Sequence, residues 1–232
     1  MKIKFIIGGA IEMPFYVFLS VDFDADAAER LYYPHSPVKI SKGKFGVNVG
    51  LDRLLNLFRK HRIKTTFFIP GWVAEEYEEK IAKIVADGHE LAMHGYMHEK
   101  LNELNEKEEI VVHQKALNAL KKFQDKIFGF RRPYWEISTK TLEIVSSLGI
   151  IYDSSLMNND KPHIIHLRNR EIVELPVENF LDDWILFEME YKTPNEVYEI
   201  WLSEFEALYD EYEKEGYFGL IAVSYTHLTL PT

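Results

Sequence analysis

Short apolar runs alternate along the chain with longer stretches in which apolar residues recur every three or four positions. Residues 16–21 form the first run and end at Asp22, the pattern of a buried strand whose carboxyl end opens into a polar site. Leu51, Leu54, Leu55 and Phe58 then fall at helical spacing, and residues 65–69 make a second apolar run closed by Pro70 and Gly71. The alternation continues with a helix over 75–86 stopped by Asp87 and Gly88, a strand over 90–93 running into His94, and a helix over 107–126. Residues 128–131 read as the next strand, 140–147 as a helix stopped at Gly149, and 150–152 as a strand ending at Asp153. A strand over 172–175, a long helix over 195–214 and a last strand over 218–223 complete the pattern. The Pro- and Tyr-bearing stretch 27–46 is expected to be a long loop, which in a compact domain is usually a functional cover.

Strands alternating with helices imply a parallel sheet, closed or open. No internal repeat, low-complexity run or linker interrupts the 232 residues, so one α/β barrel-like domain over 1–232 is the economical reading. Asp22, Asp24, His94, His98, Arg131 and Asp153 all fall at or just beyond strand carboxyl ends, where parallel α/β folds gather their chemistry.

Composition narrows the chemistry. A formal net charge of −10 argues against nucleic acid and anionic membrane as partners, since both call for clustered Lys and Arg. The absence of cysteine excludes disulfides, thiolate metal sites and a Cys nucleophile together, so any metal has to use His, Asp or Glu. The apolar run 5–10 is too short to span a membrane and is followed by Glu12 and Pro14 rather than a cleavage site. A cytoplasmic protein is therefore expected, with residues 1–12 an extension ahead of a second start at Met13.

Asp22-Phe23-Asp24 puts two carboxylates on one side of a strand, although an acidic pair at a strand end is as often a cap or a solvated turn. His94 and His98 lie four apart directly after a strand, with Gly95 giving the backbone room to turn. Two imidazoles and a carboxylate are a common set for a divalent transition metal, with positions left open for water and substrate. In Arg131-Arg132-Pro133-Tyr134-Trp135, proline fixes the backbone and aromatics stand beside a guanidinium, a wall that can hold a carboxylate; two surface arginines are the bland alternative. Asp153-Ser154-Ser155-Leu156 and Leu181-Asp182-Asp183-Trp184 are further polar turns, readable as caps.

In this order the segments resemble the polysaccharide deacetylase family over residues 16–222, and within it the branch that includes allantoinase-like and cyclic-imide-hydrolysing members beside proteins labelled peptidoglycan deacetylases. The resemblance implies a distorted, incomplete (β/α) barrel of about seven parallel strands. It implies Asp24, His94 and His98 as ligands of one divalent ion, Zn2+ in the first instance, and Asp22 as general base. Arg131 is then the charge partner of that base, Asp153 an orienting residue, and Pro133, Tyr134 and Trp135 the substrate groove; apart from the resemblance, the aromatic content adds Trp184 as a further face for a flat ring or a sugar. The bound ion would polarise an amide carbonyl and bring the pKa of water down towards roughly 7.

One departure stands out. The family's last strand runs into His-Pro, whose His protonates the leaving group; here Ser224-Tyr225-Thr226 fills that place and His227 comes late. Residues 224–232 resemble translated sequencing-adaptor sequence, and on that reading the acid and a terminal helix are lost. The expected reaction is hydrolysis of a non-peptide amide in an N-acetylated sugar, a cyclic imide or a ureide. A metal-retaining but inactive ligand-binding homologue is the alternative. The expected partners are a small-molecule or glycan substrate and a second copy of the chain, with neither nucleic acid nor membrane.

Overall fold

The structure, a computed structural model, describes residues 15–212 and 216–226. Its first strand, β1 (Tyr16–Asp22), goes from exposed Tyr16 to buried Ser20, Val21 and Asp22, so its carboxyl end enters the core. Helices α1 (Ala27–Tyr32), α2 (Pro37–Phe45) and α3 (Leu51–His61) follow, then β2 (Thr66–Ile69), α4 (Gly71–Glu76), α5 (Glu78–Ala86), β3 (Glu90–Met93) and α6 (Glu106–Leu120). The chain continues through β4 (Gly129–Phe130), α7 (Thr141–Ser147), β5 (Tyr152–Asp153), β6 (His163–His166), β7 (Glu171–Glu174), α8 (Pro194–Tyr212) and β8 (Tyr217–Val223).

These strands make one sheet in the order β6-β7-β5-β4-β3-β2-β1-β8. Every neighbouring pair is parallel except β6 with β7, so seven strands run the same way and one returns. The outer edge of β8 carries a single parallel bridge, Asp182 to Ile221, made by chain that has just left β7. Strand pairing between the two sheet edges is absent among the described residues, and the result is a curled, incomplete (β/α) barrel. Phe67, Ile69, Leu91, Met93 and Phe130 are fully buried in its core, which the Leu51, Leu54, Leu55 and Phe58 face of α3 covers from outside.

Helix ends follow local chemistry. Asn105 caps α6 in a reciprocal capping box with Glu108, and Arg62 ends α3 in the left-handed region at φ 55. The helix expected over 107–126 stops earlier, at Leu120. Strand β6 was not anticipated, because His-Ile-Ile-His offers no clear period and lies at the sheet edge.

The expected loop over 27–46 is instead α1 and α2, continued through a π-helical turn (Gly46–Gly50) into α3. Glycine explains both the packing and the misreading. A Cβ at Gly43 would run into the Ala25 carbonyl, and one at Gly50 into the Ser224 carbonyl, so this helical stretch lies directly on main chain. The same glycines dilute the apolar period that would mark a helix.

Residues 1–12, Met13 and His227 lie outside the described residues, as do the ends of the 195–214 helix and of the 224–232 tail. Ser224 N donates to Asp22 O at 3.0 Å and Thr226 Oγ1 to Asp183 Oδ2 at 2.6 Å. No described helix is long and apolar enough to cross a membrane.

Candidate metal centre and active site

A parallel sheet brings all its carboxyl ends to one rim. Pairing beyond β1 is prolonged by Phe23 N, which donates to Phe68 O at 2.9 Å, and Asp24 comes next. At the end of β3, His94 N donates to Ile69 O at 3.2 Å, and the chain then turns at Gly95, φ +70. Glu99 ties this turn by accepting from Tyr96 N at 2.9 Å and Met97 N at 2.8 Å. His98 takes φ 61, a left-handed conformation uncommon for a non-glycine residue and often found where a site demands it.

The outcome is a cluster of Asp24, His94 and His98, all buried, whose donor atoms lie within 4.8 Å of one another. Asp24 Oδ1 is 3.4 Å from His94 Nε2, and Asp24 Oδ2 is 3.6 Å from His98 Nε2. His94 Nδ1 sits 2.8 Å from the Arg131 carbonyl, an acceptor, so that nitrogen carries the proton and Nε2 presents its lone pair to the cluster. Burial drives both imidazoles towards the neutral form, His94 down to about 3 and His98 well below its usual value. Burial and the adjacent Asp22 push Asp24 well up. Without a cation among them these groups are driven to their uncharged forms, and Asp24 Oδ1 has no hydrogen-bond partner. A divalent cation resolves that conflict, because it attracts the carboxylate and takes neutral imidazole as ligand. The donor set fits such an ion.

Asp22 stands beside the cluster, its Oδ2 3.9 Å from His94 Nε2. Its Oδ1 accepts from Arg131 Nη1 at 2.7 Å. The guanidinium is locked: Nε donates to Ser154 O at 3.1 Å, Nη2 to Ser154 Oγ at 2.8 Å, and Cζ stacks 4.0 Å from the centre of the Phe68 ring.

A cavity of about 460 Å³ opens over these groups. Tyr134, Trp135 and Trp184 line it together with Asp22, Asp24, His94, His98 and Arg131. Two expected residues do not line it. Pro133 packs behind, against Gly95, where it sets up a turn in which Tyr134 and Trp135 adopt φ 52 and φ 60. Asp153 is fully buried beneath the wall, its Oδ1 accepting from Ser155 Oγ at 2.6 Å. Burial and the charge of Glu174 raise Asp153, whose reach is to the turn that carries Ser154 and through it to Arg131. Its place is that of a support for the site, away from any substrate.

Sequence reasoning missed part of the wall. Glu29, Tyr33, Lys39 and Lys42 reach the cavity from α1 and α2, and Arg132, Asp182 and Tyr225 complete it. Lys39 and Lys42 are three apart, the spacing of one helical face, a signal readable only once that stretch is known to be helical. Asp182 accepts from Trp184 N at 2.8 Å through Oδ1; burial, then Asp183 and Asp22, push it well up.

The family model for polysaccharide deacetylases matches residues 45–152. A peptidoglycan deacetylase of Helicobacter pylori is 31% identical over 226 residues, which covers 82% of this chain and 77% of that protein. A structure assigned as a polysaccharide deacetylase from Mycobacterium smegmatis aligns with a TM-score of 0.84 at 29% identity, over 94% of this chain and 80% of that one. An allantoinase aligns with a TM-score of 0.83 over 90% of this chain and 77% of its own, but at 17% identity, a likeness of fold alone. With a shared fold, and with a relative of this identity covering most of both chains, the chain belongs to the polysaccharide deacetylase family.

Proposed function

We propose that the protein is a metal-dependent hydrolase of a non-peptide amide C–N bond, acting on an N-acetylated sugar or on a cyclic imide or ureide. The observation that carries this is the buried convergence of Asp24, His94 and His98, with neutral imidazoles and an orphaned carboxylate oxygen. The resemblance to a peptidoglycan deacetylase favours the sugar.

Asp24, His94 and His98 would hold the ion, Zn2+ by donor chemistry, and bound there it would supply Lewis acidity to the amide carbonyl and acidify water at the site. Asp22 takes the proton of the attacking water on Oδ2, the oxygen that Arg131 leaves free. Arg131, itself fixed by two hydrogen bonds to Ser154, keeps that carboxylate aimed through a third. A main-chain N–H at the Tyr134 turn receives the developing oxyanion. Asp182, held towards its protonated form with Oδ1 engaged by Trp184 N, delivers a proton from the cavity wall to the departing nitrogen. Tyr134, Trp135 and Trp184 offer ring faces to a sugar or a flat heterocycle.

Elemental analysis of dialysed wild type beside His94→Ala tests the reading, followed by a screen of amides and imides. One equivalent of transition metal that vanishes in the variant, with turnover of a screened amide, is the expected outcome. Negligible metal in both folded proteins after reconstitution would sink it. Metal without turnover would leave the inactive ligand-binding homologue.

A further inference from the structure

The chemistry above leaves Arg132, a cation of the cavity wall, unused. Arg132 is 5% exposed and lines the same cavity as the Asp24, His94 and His98 cluster. Its neighbour Arg131 is bonded to Asp22, but among the described residues no carboxylate lies within ion-pair distance of the Arg132 guanidinium. The side chain rests on the Trp135 ring, Cζ 5.0 Å from its centre. Its main chain is held by Arg132 N donating to Ser155 Oγ at 3.0 Å, with Pro133 next in line.

Exposed Glu136, which accepts from Ile137 N at 3.0 Å, acts weakly on Arg132, and the acids that act on it from behind are Asp153 and Glu174. Asp153 and Glu174 each have one oxygen engaged elsewhere, Asp153 Oδ1 with Ser155 Oγ and Glu174 Oε1 with Ser155 N and Leu156 N at 2.9 Å each, and neither comes within ion-pair distance of Arg132. Burial lowers Arg132, yet a guanidinium stays charged at any ordinary pH. A charge taken out of water without a partner opposes folding, and it persists where something from outside completes it. The planar fork suits a carboxylate, which it can grip with two parallel bonds. Lys39, stacked 3.2 Å over the Tyr33 ring, adds a second positive charge to the same cavity.

We propose that Arg132 is a specificity residue that binds a carboxylate carried by the substrate, so that the amide cleaved belongs to an anionic molecule. This rests on the cavity being the substrate site of the proposed hydrolase. The shared chemistry, a carboxylate beside an amide, occurs in an acidic N-acetylated sugar and in the half-amide of a dicarboxylic acid.

Titration calorimetry on metal-loaded protein with two matched pairs separates these sources: N-acetylmuramic acid against N-acetylglucosamine, and succinamate against succinamide. In at least one pair the acid should bind about tenfold or more tightly than its neutral partner, and the responding pair identifies the source. Arg132→Gln should bring that ratio to within about twofold of unity, and Arg132→Lys should keep part of it. Arg132→Gln should also melt no lower than wild type, because it removes an unpaired buried charge; a purely structural arginine would melt lower. Equal binding within both pairs, no binding by either acid, or a preference that survives Arg132→Gln overturns the assignment. The readout is binding, so acid preference in a protein that retains no metal would remove the hydrolase and leave the Arg132 assignment standing.

Discussion

Two buried carboxylates in this molecule have opposite fates. Glu109, on α6, accepts from Ser138 Oγ at 2.6 Å and from Thr141 Oγ1, with His113 Nε2 3.5 Å away. Burial alone would raise it, but His113, Ser138 and Thr141 outweigh that and hold it below its usual value. Asp24 is as deeply buried, yet Oδ1 has no hydrogen-bond partner, its imidazole neighbours are held neutral, and it is pushed well up. The first arrangement ties α6 to α7 and asks for nothing more. The second is incomplete as protein, and on the proposed function a cation would complete it. Burial by itself does not mark a functional acid; burial with an unsatisfied acceptor facing a cavity does.

The sharpest way to break this comparison is at Asp22, the proposed base. Asp22→Asn should lower kcat by about 10²- to 10⁴-fold while metal content stays near wild type, as measured by steady-state kinetics beside elemental analysis. An unaffected rate would return Asp22 to the class of structural acids. Next in size, Glu109→Ala should cost about 2–4 kcal/mol in denaturant unfolding, since it strands two hydroxyls in the core, and activity per folded molecule should hold.

Asp183 is an intermediate case. It accepts from Val223 N at 2.7 Å and from Thr226 Oγ1, but burial prevails and raises it to about 7. A carboxyl raised in the folded state contributes stability at low pH that is lost as pH climbs from about 4, where the unfolded group ionises, through the folded value near 7. Wild type should therefore lose on the order of 1–3 kcal/mol relative to Asp183→Asn across that window, read as diverging urea midpoints. Parallel midpoints would show that its hydrogen bonds suffice. The smallest effect is expected at Asp24: in metal-free protein Asp24→Asn should stabilise by on the order of 1 kcal/mol, the reverse of Glu109→Ala. A loss there would mean that Asp24 already has a partner.

How far the site was legible depended on the range of the interactions involved. Asp22, Asp24, His94, His98 and Arg131 could be found because each sits where an apolar run stops, and such stops occur at strand carboxyl ends whatever the rest of the chain does. The aromatic turn after Pro133 was legible for the same local reason. The wall formed by α1 and α2 was not, because glycines pressed onto neighbouring main chain hide the helical period. Asp153 ends a strand as the others do, yet it is fully buried outside the cavity lining and bonded to Ser155, a placement that local pattern could not distinguish from theirs.

Sequence alone determined the alternation of strands and helices, and with it a parallel sheet whose rim carries the acids and imidazoles, since periodicity is a property of neighbouring residues. The tertiary structure decided which of those groups share a cavity, that Arg131 bonds Asp22 across 109 positions of chain, and that Arg132 faces the same space with no carboxylate at ion-pair distance among the described residues. Distances of that kind follow from how the sheet curls and how closely helices approach it, and no local pattern encodes either.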